Sequence, residues 1–405
     1  MSEKISVDQK PYGGSSSLFG GYTILAKSMM GSGLLGVAAA CSKDGWILGM
    51  FFSILIPIVT FVSLHLLAMI ALNSDVESRP ITFYKLCNSI LGPAGGLFVE
   101  ISLILKTFGA AIVYLQVAGS MLSGLIAPHV SSMDQGALCR LIQVSMAVFF
   151  APFCYLKQVT KTALLNAIGI LCLVFIVVAA CWFYEPGLAG NTQWTPTSVS
   201  GVLSKIPIFV FAYSCHQNVF ACIDETRNPS IKRMDVIMSL ACLTGFMIYS
   251  AVMILPYATF GDSVSDNFLK NLPTDSIVTK VAYVCAAVSV CISFPLQVLP
   301  LRNSVCSLLF LKFAQTEKNI KRFRIIVATI AVVLALAVAV SVSSLGVVMS
   351  ITGLIGGNTV CFLTPSLLYV KRFNRDHYLW YIAAAVLIWS VALYPLCLTG
   401  IFMNL

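Results

Sequence analysis

Polar residues interrupt this chain at intervals and leave eleven apolar stretches between them, at 18–41, 46–72, 95–127, 137–156, 161–184, 201–223, 233–260, 276–300, 323–343, 345–370 and 378–403. Each is long enough to cross roughly 30 Å of hydrocarbon, which takes about 20 helical residues. The break between the ninth and tenth is the slightest, resting on 341–346 alone. The pattern predicts an all-α polytopic membrane protein with eleven transmembrane helices.

Composition excludes the alternative class. Of 405 residues, 58% are apolar and 10% charged, with a mean hydropathy of +0.91. A soluble domain carries roughly a quarter charged residues. The positions of the charges then set an orientation. With the N-terminus cytoplasmic, 18 of the 25 Lys and Arg fall in inner segments and 5 on the outer side, leaving Lys27 and Lys106 inside spans. Cytoplasmic loops of membrane proteins gather Lys and Arg. The net charge of +9 therefore reads as loop charge, not as a nucleic-acid surface. An odd helix count places the C-terminus on the extracellular or lumenal side. The 14 cysteines lie mostly in apolar runs without a C-x-x-C pair; they read as small buried hydrophobes, neither a disulfide framework nor a metal site. Residues 1–17 are polar and lack the basic-then-apolar order of a signal peptide, so they read as a short disordered cytoplasmic tail.

Two spans are interrupted at their centres. The first carries Gly31-Ser32-Gly33, and the sixth carries Tyr213-Ser214-Cys215-His216-Gln217-Asn218. They lie five helices apart, which inverts membrane orientation. Paired interruptions in two inverted halves point to a midplane substrate site in a secondary transporter. Unwound backbone survives in a bilayer only where it is buried in protein or lines a cavity. The expected organisation is a first repeat over 18–184, a second over 201–370, and an extra helix at 378–405.

At Gly31, Ser32 and Gly33, freed N–H groups at a half-helix N-terminus would suit a carboxylate; close packing of small residues is the bland alternative. In the sixth span, freed carbonyls would accept bonds from an ammonium, and His216, Gln217 and Asn218 add polar side chains. Interhelical glue competes with that reading, and His216 fits either a proton relay or a neutral hydrogen-bonded imidazole. Lys27 lies about nine residues into its span, roughly 14 Å deep at 1.5 Å per residue. A charge there costs about 2.5–3.5 kcal/mol on insertion scales, so it needs a partner or a wet cavity. It reads as a proton carrier or a fixed cation. Lys106 is comparably deep and has no partner in sequence, because Glu100, six residues away, faces elsewhere on the helix. Asp224 and Glu225 beside Arg227 read as a solvated interfacial cap, with a cytoplasmic gate as the lesser alternative. No H-E-x-x-H, no Walker loop and no G-x-S-x-G occurs, so neither an enzyme nor a nucleotide-driven pump is expected.

These residues resemble the amino acid/auxin permease family, within the APC superfamily, in several places. Gly31-Ser32-Gly33-Leu34-Leu35-Gly36 is similar to its first-helix G-[SA]-G-[IM]-L-[GA]. Lys106-Thr-Phe-Gly109 through Tyr114-Leu115 is similar to the third helix of its fungal vacuolar branch. Phe211-Ala-Tyr-Ser-Cys-His216-Gln217-Asn218-Val219 resembles F-A-[FY]-x-C-H-x-N-V. Phe260-Gly261-Asp262 with Asn267 to Pro273, and Pro295 with Pro300-Leu-Arg302-Asn-Ser304, match further motifs. The resemblance implies a LeuT-type 5+5 inverted repeat plus one helix, with helices 1 and 6 broken. It implies that Gly31, Ser32 and Gly33 bind a substrate carboxylate, and that backbone from Phe211 through Ala212 and Tyr213 to Ser214 meets the α-amino group. Sodium-coupled relatives place an asparagine four residues before the first motif glycine and a hydroxyl in helix eight. Here Lys27 stands at the first place and Ser293 at the second.

The expectation is a secondary active transporter of amino acids, neutral ones before cationic ones, working by alternating access. It needs no cofactor, it sits among membrane lipids, and the proton is its expected coupling ion. A sodium symporter and an amino-acid-sensing protein with little transport are the rival readings. A vacuole- or lysosome-like membrane and the plasma membrane both fit.

Overall fold

The computed structural model describes residues 14–74, 81–130, 133–155, 163–186, 188, 191–310, 317–342 and 344–404. Most of the expected tail, residues 1–13, lies outside them. The described chain is helical: α1 (Leu18–Met29), α2 (Gly33–Leu72), α3 (Phe83–Ile126), α4 (Gln135–Phe150), α5 (Ala163–Trp182), α6 (Val199–Ala212) and α7 (Val219–Glu225) come first. They are followed by α8 (Ile231–Phe260), α9 (Ile277–Phe310), α10 (Glu317–Ser341), α11 (Leu345–Ile351), α12 (Thr364–Arg372) and α13 (Trp380–Met403). Between α11 and α12 the backbone continues in wide π-type turns over Thr352–Leu363.

Among the described residues, ten helical segments are each long and apolar enough to cross a membrane. α1 and the start of α2, over 18–44, together cover the first apolar stretch. That long helix turns back at Gly45, whose φ of 70° is open to glycine and costly for other residues. The bend separates an arm over 33–44 from an arm over 46–72, matching the boundary between the first two apolar stretches. Gly92, at φ 77°, bends α3 in the same way. The stretch before it, 83–91, is a short helix outside the third apolar span, which its Lys85 and Asn88 had hidden from the hydropathy pattern. Thr82 caps it, its Oγ1 accepting from Lys85 N at 3.3 Å.

The helices sort by surroundings. α6 with α7 forms the most enclosed crossing, whereas α4, α5, α10 and α13 show largely apolar exposed faces such as Val148, Leu171, Val333 and Ile388. Without lipid such faces would be costly; against hydrocarbon they are at equilibrium. α3 packs along α9, and α2 along α8, so that α1, α6 and the wide segment sit at the centre.

At the end of the bundle where α1 begins, Ser16 exchanges backbone hydrogen bonds with Glu225 and Arg227, each 2.9 Å, tying the chain before α1 to the end of α7. At the far end, the segment before α6 straps the bend of α2: Trp46 N donates to Gln193 O at 2.9 Å and Ile47 N to Trp194 O at 3.2 Å. Lys205 and Asp266 pair there at 3.3 Å.

Candidate functional site

Both interrupted spans are broken where the polar residues fall. α1 ends at Met29, Met30 leaves the helix at ψ 82°, and α2 restarts at Gly33. α6 ends at Ala212, and α7 begins at Val219 after a single tight turn over His216–Asn218. The two breaks touch. A Cβ on Gly33 would stand 2.6 Å from Ala212 Cα, so glycine is what allows the backbones to meet. Each half-helix leaves carbonyls without an intrahelical donor. Tyr249, on α8, serves both ends: its hydroxyl lies 2.8 Å from Met29 O and 2.9 Å from Ala212 O, donating to one at a time. Met29 O also accepts from Gly31 N at 3.0 Å, so Tyr249→Phe should leave the Ala212 carbonyl without this donor and lower stability by about 1–3 kcal/mol. Thermal unfolding of the purified protein checks this; an unchanged midpoint would mean that the Ala212 carbonyl does not depend on the tyrosine.

Lys27 sits on the last turn of α1, buried. Its ammonium has three protons and three acceptors: Met30 O at 3.1 Å, Ser289 Oγ at 3.0 Å and Ser293 Oγ at 2.5 Å. Ser293 in turn donates to Ser289 O at 3.0 Å. One side chain thus fastens the first break to α9. Gly169 of α5 makes room for its stem, because a Cβ there would overlap Lys27 Cε.

A narrow cleft lies between the breaks, lined by Ser28, Met29, Gly31, Ser32, Gly33, Phe211 and Ser214 from the broken spans, by Lys106, Ala110 and Tyr114 from α3, and by Gln297 from α9. Lys106, which had no partner in sequence, has two here: it donates to Ser214 O at 3.4 Å and to the Gln217 side-chain oxygen. Gln217 Nε2 donates to Ser28 Oγ at 2.8 Å, and Asn218 Nδ2 to the same oxygen at 2.7 Å. The Ser28 hydroxyl thereby links the two breaks. Ala212 is spent on packing against Gly33. Tyr213 is buried and meets Tyr249 edge-on with ring centres 4.9 Å apart. His216 turns away from the cleft toward α2, where its Nε2 lies 2.8 Å from Ser63 Oγ.

Below the breaks, toward the end where α1 begins, a cavity of about 570 Å³ opens. Gln217 and Asn218 form part of its wall, with Glu100 from α3, Asp224 and Glu225 from α7, and Arg302 and Arg324 from α9 and α10. Asp224 accepts from Ile81 N at 3.1 Å, so it pins the chain entering α3.

Several site residues had escaped the sequence reading. Ser289 lies one helical turn before Ser293, and Gln297 one turn after it, so the i, i+4 spacing was the available signal. Tyr114 stood inside a matched motif without a role. Tyr249, a single tyrosine in an apolar span, carried no signal at all.

A family model described as transmembrane amino acid transporter protein matches residues 14–403. Vacuolar amino acid transporter 5 of Schizosaccharomyces pombe is 26% identical over 360 residues, covering 88% of this chain and 84% of the relative. Vacuolar amino acid transporter 6 of Saccharomyces cerevisiae is 25% identical over 448 residues, covering 95% of this chain and 98% of the relative. Solute carrier family 38 member 10 of Rattus norvegicus is 26% identical over 379 residues, 89% of this chain but 34% of that longer protein.

Proposed function

Because the chain belongs to the transmembrane amino acid transporter family, we propose that it carries amino acids across a membrane by alternating access, with one substrate site between its two broken spans. The observation that supports this most is the meeting of the breaks at Gly33 and Ala212 above a cavity that reaches Gln217 and Asn218 from one side. The other side is strapped by the 193–194 backbone and the Lys205–Asp266 pair. A path open on one side and shut on the other is one half of an alternating cycle. The other half would follow from spans 18–184 and 201–370 acting as inverted repeats, with the helix at 378–405 outside them.

The coupling ion in this reading is a proton. Lys27 fills, with its own ammonium, a cluster of three oxygens that could otherwise hold a small hard cation, which argues against sodium. The cluster also suits both protonation states of the amine. Ser293 donates to Ser289 O when Lys27 is charged; turned the other way, a serine hydroxyl can donate to a neutral amine. Proton loss then costs a hydroxyl rotation and strands no group. The membrane is an internal, vacuole- or lysosome-like one, in keeping with the names of the fungal relatives, with the N-terminus cytoplasmic.

Substrates are neutral amino acids before cationic ones, because Lys27 and Lys106 already place two buried ammonium groups near the breaks. Counterflow of labelled amino acids into proteoliposomes tests the function without any ion gradient. Exchange of neutral amino acids, with lysine and arginine excluded, is the expected result; absence of exchange for every amino acid would overturn the reading.

A further inference from the structure

The Lys106 side chain is 1% exposed. Its hydrogen bonds run to neutral acceptors, the Ser214 carbonyl and the Gln217 amide oxygen. Among the described residues, no Asp or Glu lines the cleft it faces. A buried ammonium is costly unless an anion compensates it. In the same cleft, Ser32 Oγ is buried and has no hydrogen-bond partner among the described residues. The N-terminus of α2 opens beside it, and a helix N-terminus favours negative charge. An ammonium, a hydroxyl and a helix end therefore converge on a space that holds no protein carboxylate.

We propose that Lys106 supplies the counter-charge for the carboxylate of the transported amino acid, with the Ser32 hydroxyl and the start of α2 as its second hold. The assignment rests on the transporter reading and deepens it. It also gives substrate arrival a mechanical consequence. Lys106 holds the sixth-span break through Ser214 and Gln217, so a carboxylate that draws the ammonium loosens that hold as the site fills. Close packing keeps the lysine in place: a Cβ on Gly356 of the wide segment would stand 2.5 Å from Lys106 Cα.

Such a site must discriminate by carboxylate. An amine of the same side chain leaves the ammonium unpaired, and sites built around a substrate's polar group reject analogues that lack it by orders of magnitude. The test uses the full-length protein in proteoliposomes, with labelled alanine, leucine and tyrosine in counterflow. Ethylamine, isoamylamine and tyramine, the matching decarboxylated amines, serve as competitors. The unsubstituted protein should prefer the amino acids strongly. Lys106→Gln, which keeps a donor but removes the charge, should raise KM and lose at least about tenfold of that preference. Lys106→Arg should recover part of it, and Ser32→Ala should weaken it independently. If Lys106→Gln lowers the affinity for amino acids and amines alike, or leaves the preference intact in a protein that remains folded by gel filtration, Lys106 is structural and the assignment fails. Absence of counterflow in the unsubstituted protein would instead overturn the transporter reading, and this assignment with it.

Discussion

Lys27→Asn should reduce proton-driven accumulation at least about tenfold and should render uptake responsive to sodium. In the wild type the ammonium donates to Met30 O, Ser289 Oγ and Ser293 Oγ. The shorter asparagine cannot reach all three and has no titratable group. It leaves a carbonyl and two hydroxyls facing a space about the size of the lost ammonium, and oxygen donors of that kind suit hard cations. The protein should remain folded, because the substitution also removes a charge whose burial costs about 2.5–3.5 kcal/mol at mid-membrane. Uptake measured with a pH gradient and with a sodium gradient, mutant against wild type, checks both halves. Undiminished proton-driven uptake in the mutant would remove Lys27 from the coupling mechanism.

Gly33→Val should eliminate transport altogether. The first added carbon would stand 2.6 Å from Ala212 Cα and 2.8 Å from Ala212 Cβ. These atoms belong to the last residue of α6, where backbone cannot swing aside like a flexible side-chain end. Overpacking of a tight core typically costs about 1–3 kcal/mol, and here it forces apart the two breaks that form the cleft. Gly33→Ala should already reduce uptake at least about tenfold, with valine worse. Counterflow by the two variants, alongside their thermal midpoints, separates a damaged site from a collapsed fold. Transport by Gly33→Val at the wild-type rate would mean that the two spans do not need to touch.

Hydropathy made the crossings legible because each span must satisfy a length imposed by the bilayer. Even the slight break at 341–346 is real, since α10 ends at Ser341 and α11 starts at Leu345. The positions of the two interruptions were legible for a related reason: glycine and consecutive polar residues are costly at mid-membrane unless they line something. Bends were not. Gly45 takes positive φ with nothing in the sequence to separate it from glycines that stay helical; Gly92 does so too, and there the following Pro93 was the available signal. The helix at 83–91 was missed because it is too short and polar to register as a span.

At the site, the neighbourhood of Lys27 and Ser293 was reachable through family resemblance, and the structure puts their polar atoms 2.5 Å apart. The partners of Lys106 were not reachable. They lie 108 and 111 residues away on the other broken span, and only the fold brings them within reach. His216 shows the converse. It sits in the most polar stretch of any span, yet its ring points to Ser63 on α2, because a tight turn rotates successive side chains in different directions.

Uptake of labelled neutral amino acids into proteoliposomes of the unsubstituted protein, driven in turn by a pH gradient, a sodium gradient and neither, probes the filled oxygen cluster most directly. With the Lys27 ammonium among Met30 O, Ser289 and Ser293 as the proton carrier, the expected result is accumulation with the pH gradient and none above background with sodium. Sodium-driven accumulation by the unsubstituted protein would show that Lys27 does not occupy the coupling-ion site.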